Sequence, residues 1–406
     1  MGLLPATLRV EGRSLVRVLQ VWVVQAGLYA LLLAAVKAER PLTLAAVMVA
    51  IAGLVLLALR AHRLWGHLVG LLQLHRTAAL LGILCLCLTF PLFLRSSPYW
   101  IFIGTMALLY VTIGQGLNLQ IGTAGVINLA GAAFSGLGAY TVGILMSKTG
   151  VPSVVALLAG SVVAVAVGAI LFIPILKTRG HYLALATIAF VFIFNILVNN
   201  LEFTGGPQGI KNIPTLSLFG YPFTSSPHPF GIALPYHANF FYAALGMASL
   251  VTLLLWRLQN SWVGLTLNTL RDDEIAAKCM GVSVARYKLL AFSLGNLVIG
   301  IAGGFYALMV GFISPPDFTF GDALVMVSII ILGGLDSIPG IIVAACLLIA
   351  LPERFRFLQE YRLLLYGVTI VLMLLFRPKG LWPAGVRRYG LPEGSQSLAA
   401  IRESLP

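Results

Sequence analysis

The sequence predicts an all-α fold, a polytopic helical membrane protein of about 10–12 transmembrane helices with broken, glycine-rich helices in its core. Three observations predict it. Apolar residues make up 59% of the 406 residues, charged residues only 10%, and the mean hydropathy is +0.98. A soluble domain averages about 25% charged residues, so this chain cannot clothe a water-facing surface. Apolar runs of roughly 18–25 residues recur along it, each long enough to cross a hydrocarbon layer about 30 Å thick. Finally, Lys and Arg gather in the connections between runs, as cytoplasmic loops retain them.

The formal charge of +13 does not point to nucleic acid, because the basic residues form no single stripe. Cys85, Cys87, Cys279 and Cys346 have neither zinc-site spacing nor a disulfide framework. His62, His67 and His75 share one connection, but their spacing fits no helical ligand pair, so no metal site is expected.

In chain order, Arg9, Arg13 and Arg17 precede an apolar run over 18–36. That run exceeds the usual core of a secretory signal, roughly 7–15 residues, and is read as an uncleaved first membrane helix. About twelve spans follow from hydropathy, centred near residues 27, 50, 86, 109, 134, 164, 190, 247, 300, 327, 345 and 370. With the N-terminus in the cytoplasm, alternation leaves most basic connections inside, among them Arg60, Arg63 and Arg76, then 257–288, then Arg377 to Arg388. The exception is "PERFRFLQEYR", 352–362, which falls outside despite three arginines. Either Glu353 and Glu360 offset the bias, or a span near 320–350 is re-entrant. The connection over 200–238 contains six prolines, excluding a continuous helix, and falls on the external side. Residues 386–406 read as a polar, flexible cytoplasmic tail.

Absences narrow the chemistry. The spans between Tyr99 and Trp256 carry essentially no ionisable group at membrane depth. Proton-driven carriers place carboxylates or histidines there as relays. "SKTG" at 147–150 lacks the glycine that shapes a phosphate cradle. No nucleophile stands beside a base, which argues against a membrane-embedded enzyme. A stand-alone carrier or channel remains the second class, since backbone carbonyls alone can bind sodium.

The stretch from Gly114 to Gly143 holds eight glycines in thirty residues, against about three expected from 42 in 406. Small residues permit close helix packing, and glycine permits a break where backbone lines a cavity. Asn118, Gln120, Gly122 and Asn128 are therefore candidates for a translocation path near the midplane. "FTGGPQGI", with Thr204, Gly205 and Gly206, reads as a glycine-rich turn leaving the membrane or as a second solute contact. Gly300 and Gly304 have the four-residue spacing of close helix crossings. "LGGLDSIPG" is a further glycine-rich break, with Asp336 as a cap or turn residue.

"RDDEIAAKCMGVS", 271–283, is a punctuated helix between apolar spans. Asp272 suits the N-cap, Asp273 and Glu274 favour the first turn, and Lys278 the last. Gly281 can take the left-handed C-cap, after which Ser283 can cap the next span. Ala276 and Ala277 would give this helix of about two turns a low profile for docking.

In this setting "GLNLQIGTAGVINLAGAAFSGLGAY", "HYLALATIAFVFIFNILVNNLEFTGGPQGIKNIP", "RDDEIAAKCMG", "GFISPPDFTF", "ILGGLDS", "LPERFRFLQEYR" and "LFRPKGL" stand in an order that closely resembles permease subunits of ATP-binding-cassette importers for branched-chain amino acids, the LivM-type proteins. The likeness covers roughly residues 100–383, about 70% of the chain. It implies accessory transmembrane helices over 1–95 and an importer permease core over 96–385. It implies as partners a related second permease, two cytoplasmic ATPases and a periplasmic binding protein, in the bacterial inner membrane. ATP and magnesium would bind the ATPases, with no cofactor in this chain. It also maps coupling to the ATPase onto Arg271, Asp272, Asp273, Glu274, Ala276, Ala277 and Gly281. The segment is similar to the importer pattern "EAA-x3-G", with Ile275 at the glutamate position and Glu274 one residue early. Many members carry histidine where Gly131 stands and glycine where Asp336 stands. Urea or a short amide is the alternative cargo, because neutral amides suit either.

Overall fold

The computed structural model describes scattered positions between 22 and 34, then 76–175, 180–218, 220–227, 233–354, 361–376, 380–382 and 384. The expected span near residue 50, the basic pairs Lys177/Arg179 and Arg377/Lys379, and the 386–406 tail lie outside the described residues. The described helices are α1 (Arg76–Phe93), α2 (Pro98–Asn118), α3 (Gly131–Thr149), α4 (Ser153–Ile175), α5 (Gly180–Asn200), α6 (His237–Gln259), α7 (Trp262–Asp272), α8 (Glu274–Cys279), α9 (Val284–Val310), α10 (Phe320–Gly333), α11 (Ile338–Arg354) and α12 (Arg362–Phe376). Every span centre expected between residues 86 and 370 falls within one of these helices. Among the described residues six segments are long and apolar enough to cross a membrane. They are Pro98–Thr123, Ser153–Pro174, Tyr182–Asn200, His237–Gln259, Val284–Val310 and Pro315–Gly333. The protein is thus an all-α multi-pass membrane protein.

The chain divides into two compact units, Met1–Phe102 with Pro227–Ala238, and Ile103–Ser226 with Asn239–Pro406. In the first, α1 ends in a turn in which Ser97 N donates to the Leu94 carbonyl at 2.9 Å, and the chain re-enters helix at Pro98. Leu234 N closes a separate loop by donating to Pro227 at 3.0 Å.

The second unit is built on α3, α4 and α9. A Cβ on Gly138 would overlap the Gly300 carbonyl, and one on Gly303 would overlap that of Ser135. One on Gly160 would stand 2.8 Å from the Gly138 carbonyl. Three helices therefore touch through backbone, the arrangement expected when no side chain intervenes. Gly300 and Gly304, marked by their spacing, both lie in this seam, Gly304 against Val142. Beside it, Phe292 stacks on Phe172 with centroids 4.5 Å apart and meets Phe134 edge-on at 5.7 Å. Bulky rings thus fill the space that the glycines do not.

One end of this unit is closed by the proline-rich connection. Ile210 pairs with Ile313 as an antiparallel bridge, and Asn195 Nδ2 donates to the Pro315 carbonyl at 3.0 Å. Ser153 Oγ donates to Ser217 at 2.7 Å. Between these ties the loop forms two 3₁₀ turns and a minimal hairpin, β1 (Ser217–Leu218) with β2 (Tyr221–Pro222). The opposite end holds the α2 terminus, α7 and the turn joining α10 to α11. At about 1.5 Å per residue, α10 and α11 run roughly 21 and 26 Å, shorter than the apolar layer. Tyr366 Oη donates to the Leu348 carbonyl, and Leu381 N donates to that of Leu332. α12 therefore returns alongside α11 to the α7 end.

Two outcomes are expected. Gly138→Val forces a Cβ onto the Gly300 carbonyl and should destabilise by about 1–3 kcal/mol, lowering the thermal midpoint in detergent; an unchanged midpoint refutes the seam. Ser226→Cys, exposed in the proline-rich loop, should react with an impermeant maleimide in intact spheroplasts when the native cysteines are removed. Reaction only after the membranes are opened would invert the sidedness.

Candidate functional site

α2 does not end cleanly. Beyond Asn118 it widens into a π-type turn, Leu119–Thr123, then turns at Ala124 and runs without regular secondary structure from 125 to 130 before α3 starts at Gly131. Gly125 takes φ +67°, which lets the chain leave the helix axis. The segment from Pro98 to Thr123 is 26 residues, about 39 Å of helix. Its end therefore reaches the α7 face of the layer rather than the midplane. From there the irregular chain dips back inward. Leu129 N donates to Thr187 Oγ1 at 3.1 Å, and Asn128 approaches Asn296, about 18 Å along α9.

The polar residues of this break form two buried groups. In the first, Gln120 Nε2 donates to the Phe292 carbonyl at 2.8 Å and to Asn296 Oδ1 at 3.0 Å. Asn128 Nδ2 donates to Gln120 Oε1 at 2.6 Å, and its own Oδ1 accepts from Ala130 N at 2.8 Å. That last bond satisfies an amide at the start of α3, in the manner of an N-terminal cap. Asn296 Nδ2 is buried without a partner and faces Gly168. The second group centres on Asp336, which sits at φ +64° in the α10–α11 turn. Its backbone N donates to Asn118 Oδ1 at 2.8 Å. Its Oδ1 accepts from Thr123 Oγ1 at 2.7 Å and from Gln259 Nε2 at 3.3 Å. Arg271 Nη1 donates to the Gly122 carbonyl and stands 3.9 Å from Asp336 Oδ2.

Of the path residues read from sequence, Asn118, Gln120, Gly122 and Asn128 come together here. Thr204, Gly205 and Gly206 do not. They lie at the other end, where Thr204 Oγ1 bonds the carbonyls of Val198 and Leu201 and Gly206 N donates to Leu201. They terminate α5 as a glycine-rich turn, with positive φ at both glycines. Asn296 and Gln259 were missed by the sequence reading, although Asn296, a lone amide inside an apolar run, was a usable signal.

The punctuated segment also departs from expectation in detail. The N-cap is Asp273, not Asp272: Asp273 Oδ1 accepts from Ile275 N at 2.9 Å and Ala276 N at 3.0 Å. α7 already contains Asp272, so the cap falls one residue later. The helix is shorter than read, with six residues. Gly281 does take a left-handed conformation, φ +82°, and Lys288 pairs with Glu274. Ser283 precedes α9 without a side-chain cap bond. Ala277 is fully buried in its own subunit, so it offers no surface for docking, whereas Ala276 is exposed. The water-facing apolar side chains are Ile275, 78% exposed, and Met280, 83% exposed. Arg271 turns inward, with only a third of its side chain open.

With this geometry the comparisons with known proteins agree. The family model described as "Branched-chain amino acid transport system / permease component" matches residues 99–374. The high-affinity branched-chain amino acid transport system permease protein LivM of Salmonella typhimurium is 37% identical over 294 residues, 69% of each chain. Its namesake from Escherichia coli is 35% identical over 317 residues, 75% of this chain and 74% of that one. A LivM-named permease of Methanocaldococcus jannaschii is 25% identical across 68% of this chain and 90% of its own length. No solved structure matches the chain. The matched span runs from the start of α2 nearly to the end of α12 and so contains the break, both polar groups and α8: the chain belongs to the family of branched-chain amino acid transport permease components.

Proposed function

We propose that this chain is the transmembrane permease subunit of an ATP-binding-cassette importer in the bacterial inner membrane, carrying branched-chain or other neutral amino acids. A related second permease completes the path, a periplasmic binding protein delivers the cargo, and two cytoplasmic ATPases bind ATP and magnesium. The observation that carries this reading is α8: a capped helix outside the candidate membrane spans, within the region matched by the family model, presenting large apolar side chains to water. Burying a side chain such as Ile275 or Met280 is worth about 1.5–3 kcal/mol, so these two residues favour a protein partner over solvent. The docking face is then Ile275, Ala276 and Met280, with Asp273, Glu274 and Gly281 fixing the helix that displays them. The neutral amides around the α2 break provide hydrogen-bonding groups for a zwitterion without introducing a charge into the layer.

Met280→Arg or Ile275→Asp should strip the ATPase from the purified complex. A tenfold loss of retention corresponds to about 1.4 kcal/mol, well within what one apolar anchor supplies. Retention and substrate-stimulated ATP hydrolysis equal to those of the unmutated complex would refute docking through α8. Concentrative uptake by the isolated chain in liposomes, driven by a proton or sodium gradient, would refute the importer reading itself.

A further inference from the structure

We propose that Arg271 and Asp336 form a positioning strut that transmits movement of α8 to the end of α2. This rests on the docking role proposed for α8. A helix that stops leaves its last carbonyls unpaired, and at the π-type turn the chain departs before the Gly122 carbonyl finds a helical partner. The guanidinium of Arg271 supplies one from another segment, 149 residues away in sequence. A cation at a helix C-terminus is also favoured by the helix dipole. The same Nη1 faces Asp336 Oδ2, while Asp336 Oδ1 holds Thr123, the last residue of the turn. Its backbone N meanwhile holds Asn118. The end of α2 is thus clamped on two sides by residues outside it.

Arg271 is well placed to transmit motion. It lies two residues before Asp273, the cap of α8, and its stem packs on Gly125, where a Cβ would approach Arg271 Cγ to 3.0 Å. Leu267 and Leu270 anchor α7 immediately upstream. A shift of α8 therefore acts on Arg271 before any other contact with the break. In the same arrangement the Arg271 Nε stands 3.4 Å from Asp272 Oδ1 at the surface. Breaking the Arg271–Asp336 contact while Asp272 keeps the guanidinium gives the second of the two discrete arrangements that a coupling element requires. With the strut made, α2 is held through residue 123 and the Gln120–Asn128–Asn296 amides are fixed. With it released, the irregular chain at 124–130 is free to re-set.

The test compares Arg271→Gln, Arg271→Lys, Asp336→Asn and the Arg271→Gln/Asp336→Asn pair in the reconstituted complex with its ATPases. Asn is isosteric with Asp and tolerates positive φ, so Asp336→Asn keeps the shape while removing the charge and turning one acceptor oxygen into a donor. The expected result is full ATPase retention and ATP hydrolysis, with uptake per ATP lowered about tenfold, inside the 5–150-fold range of coupling effects. Arg271→Lys, a point charge without the fork, should fall between. In a background without native cysteines, Ile127→Cys should label at different rates in nucleotide-free and ATP-trapped complexes, and both single variants should abolish that difference. Unchanged uptake per ATP, or uptake and hydrolysis falling together with the thermal midpoint, overturns the strut. Absence of ATPase from the unmutated preparation overturns the docking reading instead.

Discussion

A helix that ends inside a packed protein interior strands polar backbone groups that water cannot reach, each at a cost of several kcal/mol. The architecture around the break in α2 follows from that constraint. Asn118, Gln120, Thr123 and Asn128 are polar because the chain must leave the helix at 119 and re-enter at 131. Their partners lie on the elements that pass the break, Asn296 on α9, Gln259 at the end of α6, Arg271 at the end of α7 and Asp336 in the α10–α11 turn. Distant parts of the chain are therefore committed to one local problem.

Asp336 shows how the commitment works. A residue with φ +64° favours glycine or a short polar side chain. Aspartate tolerates the conformation and adds a carboxylate that Thr123, Gln259 and Arg271 converge upon. The backbone requirement alone would be met by glycine. The carboxylate adds a tie between three segments that glycine lacks.

Much of this could be read in advance, for identifiable reasons. Long apolar runs located the described helices from α1 to α12 other than α7 and α8, because span length is set by the layer and not by tertiary detail. The glycine-rich stretch from 114 to 143 marked both the break and the seam, and Gly281 marked the end of α8. Sidedness and partner choice were harder. On a six-residue helix no periodicity distinguishes Ala276, exposed, from Ala277, buried. Asp272 and Asp273 are chemically identical caps, and only the end of α7 decides between them. Arg271 belongs to a run of charges, which by default faces water; its partners are supplied by residues 122 and 336. Thr204 to Gly206 resemble the break in composition, yet fold as a helix terminator at the opposite end.

The glycine seam of α3, α4 and α9 has a mechanical corollary. Where backbones touch, sliding one helix by a single residue would bring a Cβ against a carbonyl, as the positions of Gly138, Gly303 and Gly160 show. Interlocked side chains can change rotamer to admit a new register, but bare backbone has no such adjustment. The three helices are therefore keyed together and must travel as one body through any change of shape. Alternation between outward and inward openings then becomes a matter of what pivots about that body, with α2's unwound end as its natural hinge.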